Sequence, residues 1–267
     1  MTAFSSLYGE RLSRELGTDD STVLFTSARR KAAINEGALE FADITECLER
    51  TSTITIVGGT QEYAVTVDPS SIVGDFLRYA KRPVQFQYTD AAGVVTVLEG
   101  DDLPRRDPHW LARYAPGWNT STTASTTRQT PSYYYDRVDG GRRVIGFAPK
   151  PCTGSSASAI ALVPYIALPP PMTSDTQEPF QVVASTNVST NFTAVAGVQR
   201  TDLRPFHQAL VHYAAAQLEK FRKDTAASDR QMKQFYDYIQ RYWQTMRTKS
   251  GTSLTFARTY FTRGRSS

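Results

Sequence analysis

The chain has 267 residues, 40% hydrophobic and 21% charged, which excludes wholesale disorder and leaves length for one or two domains. No run of about 18 uncharged apolar residues occurs, so no helical membrane span is expected. The net charge of +4 is confined to the end: residues 249–267 carry Lys249, Arg258, Arg263 and Arg265 and no acid, while residues 1–248 hold 26 charges of each sign. A neutral body argues against a general nucleic-acid-binding face.

The start, Met1-Thr2-Ala3-Phe4-Ser5-Ser6, lacks a basic and an apolar region, so no secretory signal is expected. Two cysteines, Cys47 and Cys152, make neither a disulfide framework nor a zinc site, and synthesis in a reducing cytosol is the plain reading.

Leu7, Arg11, Leu12 and Leu16 predict a short helix closed by Gly17. Ser21 or Thr22 then caps a long helix to about Arg50, with Leu24, Ala28, Ala32 and Leu39 at helical spacing and Ile34, Ala38, Phe41 and Leu48 beside them. Gly37 inside it costs about 1 kcal/mol relative to alanine and marks the close approach of a neighbour. Thr51–Val57 and Tyr63–Val67, around Gly58-Gly59, read as a hairpin. Val84–Tyr88 with Val94–Leu98 reads as a second hairpin. Tyr133–Val138 with Arg143–Phe147, around Asp139-Gly140-Gly141, reads as a third. Residues 119–130 form a polar loop, and the apolar run Ala157–Ile166 a buried strand.

Pro169-Pro170-Pro171 stiffens the exit, and the polar stretch 173–204 reads as a long excursion with weak strand signals at Phe180–Ala184 and Phe192–Val195. Pro205 opens a helix whose face is Phe206, Ala209, Leu210, Tyr213, Ala214, Leu218 and Phe221. Ser228 or Asp229 caps the next, with Met232, Phe235, Tyr236, Ile239, Tyr242, Trp243 and Met246 on one stripe. The short link makes these two helices antiparallel neighbours.

The expected fold class is therefore α+β: a helical bundle from the N- and C-terminal helices, an inserted antiparallel β-domain and an extended C-terminal tail. The boundaries are 1–50 for the N-terminal helical part, 51–204 for the β-domain with its excursion, 205–248 for the helical hairpin and 249–267 for the tail.

A catalytic constellation does not emerge. His207 and His212 stand about 140° apart around one helix and do not share a face. His109 lies near Asp101, Asp102 and Asp107 without a further consistent ligand, so no metal and no cofactor is expected. Cys47 sits beside Glu46 and Glu49, whose charges oppose a thiolate, and Cys152 reads as structural. No nucleophile elbow and no Walker A sequence occurs, and Gly58-Gly59 lacks the rest of a dinucleotide fingerprint. Tyr133-Tyr134-Tyr135 reads as a strand with Tyr134 inward and its neighbours outward.

The tail is the informative local feature. Thr252–Phe261 alternates, so Leu254, Phe256, Arg258 and Tyr260 share one side when extended. Such a peptide adds as a strand to another chain. Arg263 and Arg265 beyond Phe261 can pair with a partner's carboxylates. Leu254, Phe256, Arg258, Tyr260, Phe261, Arg263 and Arg265 are the predicted docking residues.

The order of segments resembles tailed-bacteriophage head-to-tail adaptor (connector) proteins over about residues 20–247. The residues carrying the resemblance are Arg29-Arg30-Lys31-Ala32-Ala33-Ile34-Asn35-Glu36-Gly37, leading through Phe41 into Thr51-Ser52-Thr53-Ile54-Thr55-Ile56. Trp110 follows, then Pro131-Ser132-Tyr133-Tyr134-Tyr135 and Val144-Ile145-Gly146-Phe147-Ala148-Pro149-Lys150-Pro151. The last is His207-Gln208-Ala209-Leu210-Val211-His212-Tyr213-Ala214-Ala215-Ala216. The stretch 173–204 is longer than that pattern. The resemblance implies no catalysis and a virion protein at the head–tail interface, made in the bacterial host cytoplasm. It implies a dodecameric ring of copies under the portal protein that extends the DNA channel, passes genomic DNA without sequence-specific binding and docks tail or tail-completion proteins. Two other readings compete. One is a carbohydrate- or host-surface-binding β-module with Trp110, Trp118 and Tyr133–Tyr135 as stacking platforms. The other is a hydrolase using His109 or Asp107.

Overall fold

A computed structural model describes residues 3–17, 25–64, 76–80, 84–89, 95–97, 103–115, 117–119, 131–140, 142–151, 158–182 and 198–250. Helices and antiparallel sheets make it an α+β protein. It falls into two compact units. The helical one lies within residues 1–47, 169–182 and 199–267, the other within 48–168 and 183–198. The segment 169–182 thus belongs with the helices rather than with the β-domain to which the polar stretch from 173 was assigned.

The helical unit opens with α1 (Phe4–Ser6), a π-helical turn (Leu7–Arg11) and α2 (Leu12–Leu16), closed by Gly17 at φ 63°. Helix α3 (Ser27–Thr45) starts at a cap different from Ser21 or Thr22, which lie outside the described residues. The Thr26 side chain accepts from the Arg29 N–H. It also stops at Thr45, before the predicted Arg50, because Glu46 turns left-handed at φ 55° and sends Cys47 and Leu48 into buried positions.

Pro205 sits in a 3-10 turn (Thr201–Phe206) that leads into α5 (His207–Arg222). Helix α5 is covered on most of its circumference, with His207, Ala209–His212, Ala214–Ala216, Leu218 and Glu219 buried. Phe221, expected on the inner face, is 61% exposed, with the Arg29 guanidinium 5.7 Å from its ring centroid. Helix α6 (Thr225–Ser250) begins before Ser228. Asp224 takes the cap, accepting from the Ala227 N–H at 2.9 Å, and the buried Ser228 hydroxyl donates to the Ala216 carbonyl.

Phe41 is the hub of this core. Its ring lies 5.4 Å from Phe180, 6.1 Å from Phe206, 5.8 Å from Tyr242 and 6.4 Å from Phe235. It thereby joins α3, the 169–182 segment, the 3-10 turn and α6 through offset and edge contacts. Gly37 makes the close approach expected of it, since a Cβ there would stand 3.2 Å from the Tyr213 ring and 3.3 Å from the Leu210 carbonyl.

In the β unit, β1 (Glu49–Ile56), β3 (Phe76–Tyr79), β4 (Gln85–Thr89), β5 (Val95–Val97) and β8 (Ser158–Ala167) form one sheet of order β1-β8-β4-β5, with β3 also on β8. The predicted buried strand is β8, which lies between β1 and β4, and the second predicted hairpin is β4–β5. Among the described residues the first hairpin does not form. The strand β2 (Glu62–Ala64) pairs with β7 (Arg142–Ala148) in a second sheet of order β2-β7-β6, where β6 is Tyr133–Asp139. The turn between β1 and β2 is held by the Tyr63 hydroxyl, which accepts from the Val57 N–H and lies 3.2 Å from the Val57 and Thr60 carbonyls. The third hairpin, β6–β7, forms as read, with Gly140 at φ 55° in its turn. Ile54, Ile56, Tyr63, Phe86, Tyr134, Ile145, Phe147 and Val163 share one core between the sheets.

A short helix, α4 (Pro108–Tyr114), was not anticipated; Asp107 caps it, accepting from the His109 N–H at 2.7 Å, and Pro108 takes its first turn. Two-residue strands β9 (Gln181–Val182) and β10 (Val198–Gln199) pair where the chain leaves the helical unit and returns to it. The signal at Phe192–Val195 lies outside the described residues, as do most of the loop 119–130 and Cys152.

Candidate interaction surfaces

The residues considered for chemistry are dispersed. His109 is exposed on α4, and its neighbour Asp107 is engaged as the helix cap. No group of three metal-ligating side chains occurs among the described residues. Burial pushes the Cys47 thiol up to about 11, so the thiolate is disfavoured and the side chain is part of the core.

The two histidines of α5 face different surroundings. His207 is 1% exposed, its ring tilted against Phe180 with centroids 5.9 Å apart, and neither ring nitrogen is hydrogen-bonded. Burial lowers its pKa to about 4; Glu178 opposes that shift, while Arg11 and Arg204 add to it. His212 belongs to a polar chain instead. Its Nδ1 lies 2.7 Å from Gln231 Oε1, Gln231 Nε2 donates to Glu15 at 3.2 Å, and Gln208 reaches Glu15 from the other side. This chain backs a polar cleft of about 300 Å³ lined by Ser6, Glu10, Arg11, Arg14, Glu15 and Gln208.

The tyrosine run is mostly core, not platform. Tyr134 points into the core between the sheets, as expected. Tyr135, expected outward, is 1% exposed. It points to the opposite face of its sheet, where Leu111 of α4, Ala148 and Trp118 cover it. Its hydroxyl donates to Glu62 at 2.8 Å, and Arg137 grips the same carboxylate with two bonds of 3.0 and 2.7 Å. Arg137 first, and then the Tyr135 hydrogen bond, hold Glu62 below the usual carboxylate range despite partial burial.

The half-buried aromatics beside it are turned edge-on to one another: Trp110 to Tyr133 at 65° and Trp118 to Tyr135 at 85°. Arg106 covers the Trp110 ring at 4.8 Å. Rings committed to each other and to a guanidinium present little open face for a sugar, which counts against the carbohydrate reading.

The predicted docking residues Leu254, Phe256, Arg258, Tyr260, Phe261, Arg263 and Arg265 lie outside the described residues; α6 leads toward them through Ser250. Sequence reasoning passed over the outer edge of β1, whose signal was the β-branched run Thr51–Ile56 that had been assigned to a hairpin. The surfaces available are thus scaffold and edges, with no reactive centre among the described residues.

Residues 2–258 match the model of the SU10 adaptor protein family. The chain belongs to that family. This agrees with the resemblance to phage head-to-tail adaptors and makes the chain an adaptor, a structural protein of a bacteriophage. No curated protein matches the chain. No described helix is long and apolar enough to cross a membrane.

Proposed function

We propose that this adaptor assembles as a dodecameric ring between the portal protein and the tail of the virion, prolongs the DNA channel and offers tail or tail-completion proteins a docking surface. The carrying observation is the family match over nearly the whole chain. The body's charge supports a conduit: with 26 charges of each sign in residues 1–248, it has no net cationic field to hold phosphates and retard ejection. The role needs no reaction, and His207, His212, Cys47 and the tyrosine run have structural uses. Leu254, Phe256, Arg258, Tyr260, Phe261, Arg263 and Arg265 act as the clasp, joining each copy to the portal or to the next copy.

The test mixes purified portal with the full chain and with a chain lacking residues 251–267, and images both. Rings should form on the portal only with the full chain, while the shortened chain keeps the same circular dichroism. Rings from the shortened chain overturn the role of the tail; no binding by the full chain overturns the adaptor reading.

A further inference from the structure

Among the described residues, the five-stranded sheet ends on β1. Strand β1 spans eight residues, and among the described residues it pairs with β8 alone. The ladder runs from Glu49↔Ile166 to Ile56↔Ala159 without a register shift. In an antiparallel ladder every second residue turns its N–H and C=O away from its partner, so β1 presents a row of backbone donors and acceptors on its outer side. Natural edges are commonly blunted by proline, lysine, a bulge or brevity. Strand β1 has none of these, and its two charges, Glu49 and Arg50, sit together at one end.

We propose that this edge receives residues 254–261 of a neighbouring copy as an added antiparallel strand. The proposal rests on the tail acting as a docking strand and names its receptor. Two features select this occupant. The tail alternates with period two over a length that matches the edge, Thr252–Phe261 against eight residues. Antiparallel entry sets Leu254 and Phe256 beside Ile56 and Ile54, continuing the buried row of β1, and carries Arg263 toward Glu49; parallel entry brings Arg263 to the uncharged end. Only residues 251–253 lie between α6 and the docked segment, a reach of roughly 13 Å, so the Ile56 end of the receiving edge lies that close to the end of α6 in the donor copy. A contact in which the tail of each copy meets β1 of the following one is head-to-tail, the geometry that closes into rings.

Two measurements test it, both with purified portal present. The first is hydrogen exchange of the unaltered full chain, free and assembled. Amides within Thr51–Ile56 should gain at least about tenfold protection at alternate positions on assembly. The second mixes two singly substituted full chains, Thr55→Cys and Thr255→Cys, which face each other in this register, and oxidises the assembly. A disulfide-linked dimer holding one of each is expected.

Unchanged exchange in β1 overturns the proposal whatever the cross-linking shows. If β1 is unprotected while the assembly still needs the tail, the tail docks elsewhere and the docking-strand reading survives. If the assembly forms without the tail, that reading falls too. Cross-linking only within a doubly substituted chain, and never between the two single variants, removes the neighbouring copy from the account.

Discussion

The ring of Tyr135 lies across Gly146, its partner in the β6–β7 register, so closely that a Cβ at 146 would fall 2.1 Å from Tyr135 Cζ. The tyrosine supplies the packing that the glycine lacks, and the glycine supplies room for the ring. The ring has no alternative position without loss, because its hydroxyl donates to Glu62 and it forms a T-shaped pair with the Trp118 ring, centroids 5.1 Å apart.

Gly146→Ala should therefore destabilise the β unit by about 2–3 kcal/mol, in the range of overpacking. Thermal unfolding of the single variant and of Gly146→Ala combined with Tyr135→Ala measures this. In the combined variant the alanine should add little to the cost of Tyr135→Ala alone.

At Gly37 two effects nearly cancel. Alanine gains about 1 kcal/mol of helix propensity. It also crowds Tyr213 and the Leu210 carbonyl at 3.2–3.3 Å, tight enough that α5 must give slightly. Gly37→Ala should stay within about 1 kcal/mol of the parent, whereas Gly37→Leu should cost more than about 2 kcal/mol by driving α3 from α5. Denaturant midpoints at constant slope distinguish the two.

His207 makes stability depend on pH. Its folded pKa of about 4 lies below the ordinary 6.5, so the unfolded chain binds the extra proton first. Stability is unaffected above about pH 6.5, falls as pH drops from there, and the loss is complete near pH 4. That shift amounts to about 3 kcal/mol. His207→Leu should flatten the fall in this window in urea titrations at pH 7, 6, 5 and 4; an unchanged slope would show that His207 is not the group responsible.

Asn35 fastens the 169–182 segment to α3 by imitating a strand. Its amide donates to the Met172 carbonyl at 3.2 Å, and its oxygen accepts from the Met172 N–H at 2.9 Å. Asn35→Ala leaves two backbone groups without these partners, at about 1–3 kcal/mol. Limited proteolysis should then cut within 169–182 faster than in the parent, and Asn35→Asp, which keeps only the acceptor, should fall between.

Much of the architecture follows from local pattern. The period-3.6 stripes of α5 and α6, the turn at Asp139-Gly140-Gly141 and the apolar run of β8 all specify their element within a few residues of chain. In α3 the helical period holds, but Ala28, Ala32 and Leu39 are exposed and Ile34, Ala38 and Phe41 beside them take the core. Local pattern also located Gly37 as a contact. What the residues alone did not reveal was partnership. Strands β1 and β2 look like a hairpin because each alternates and glycines lie between them, yet each pairs with a distant strand. Alternation reports that one side is buried, not against what. Tyr135 was misplaced for the same reason: a strand read as half-exposed becomes buried on both faces once α4 and Trp118 close over it. Chain composition determined the class, the neutral body and the basic end. Tertiary packing alone decided which strands meet, because those choices depend on burial between residues far apart in sequence.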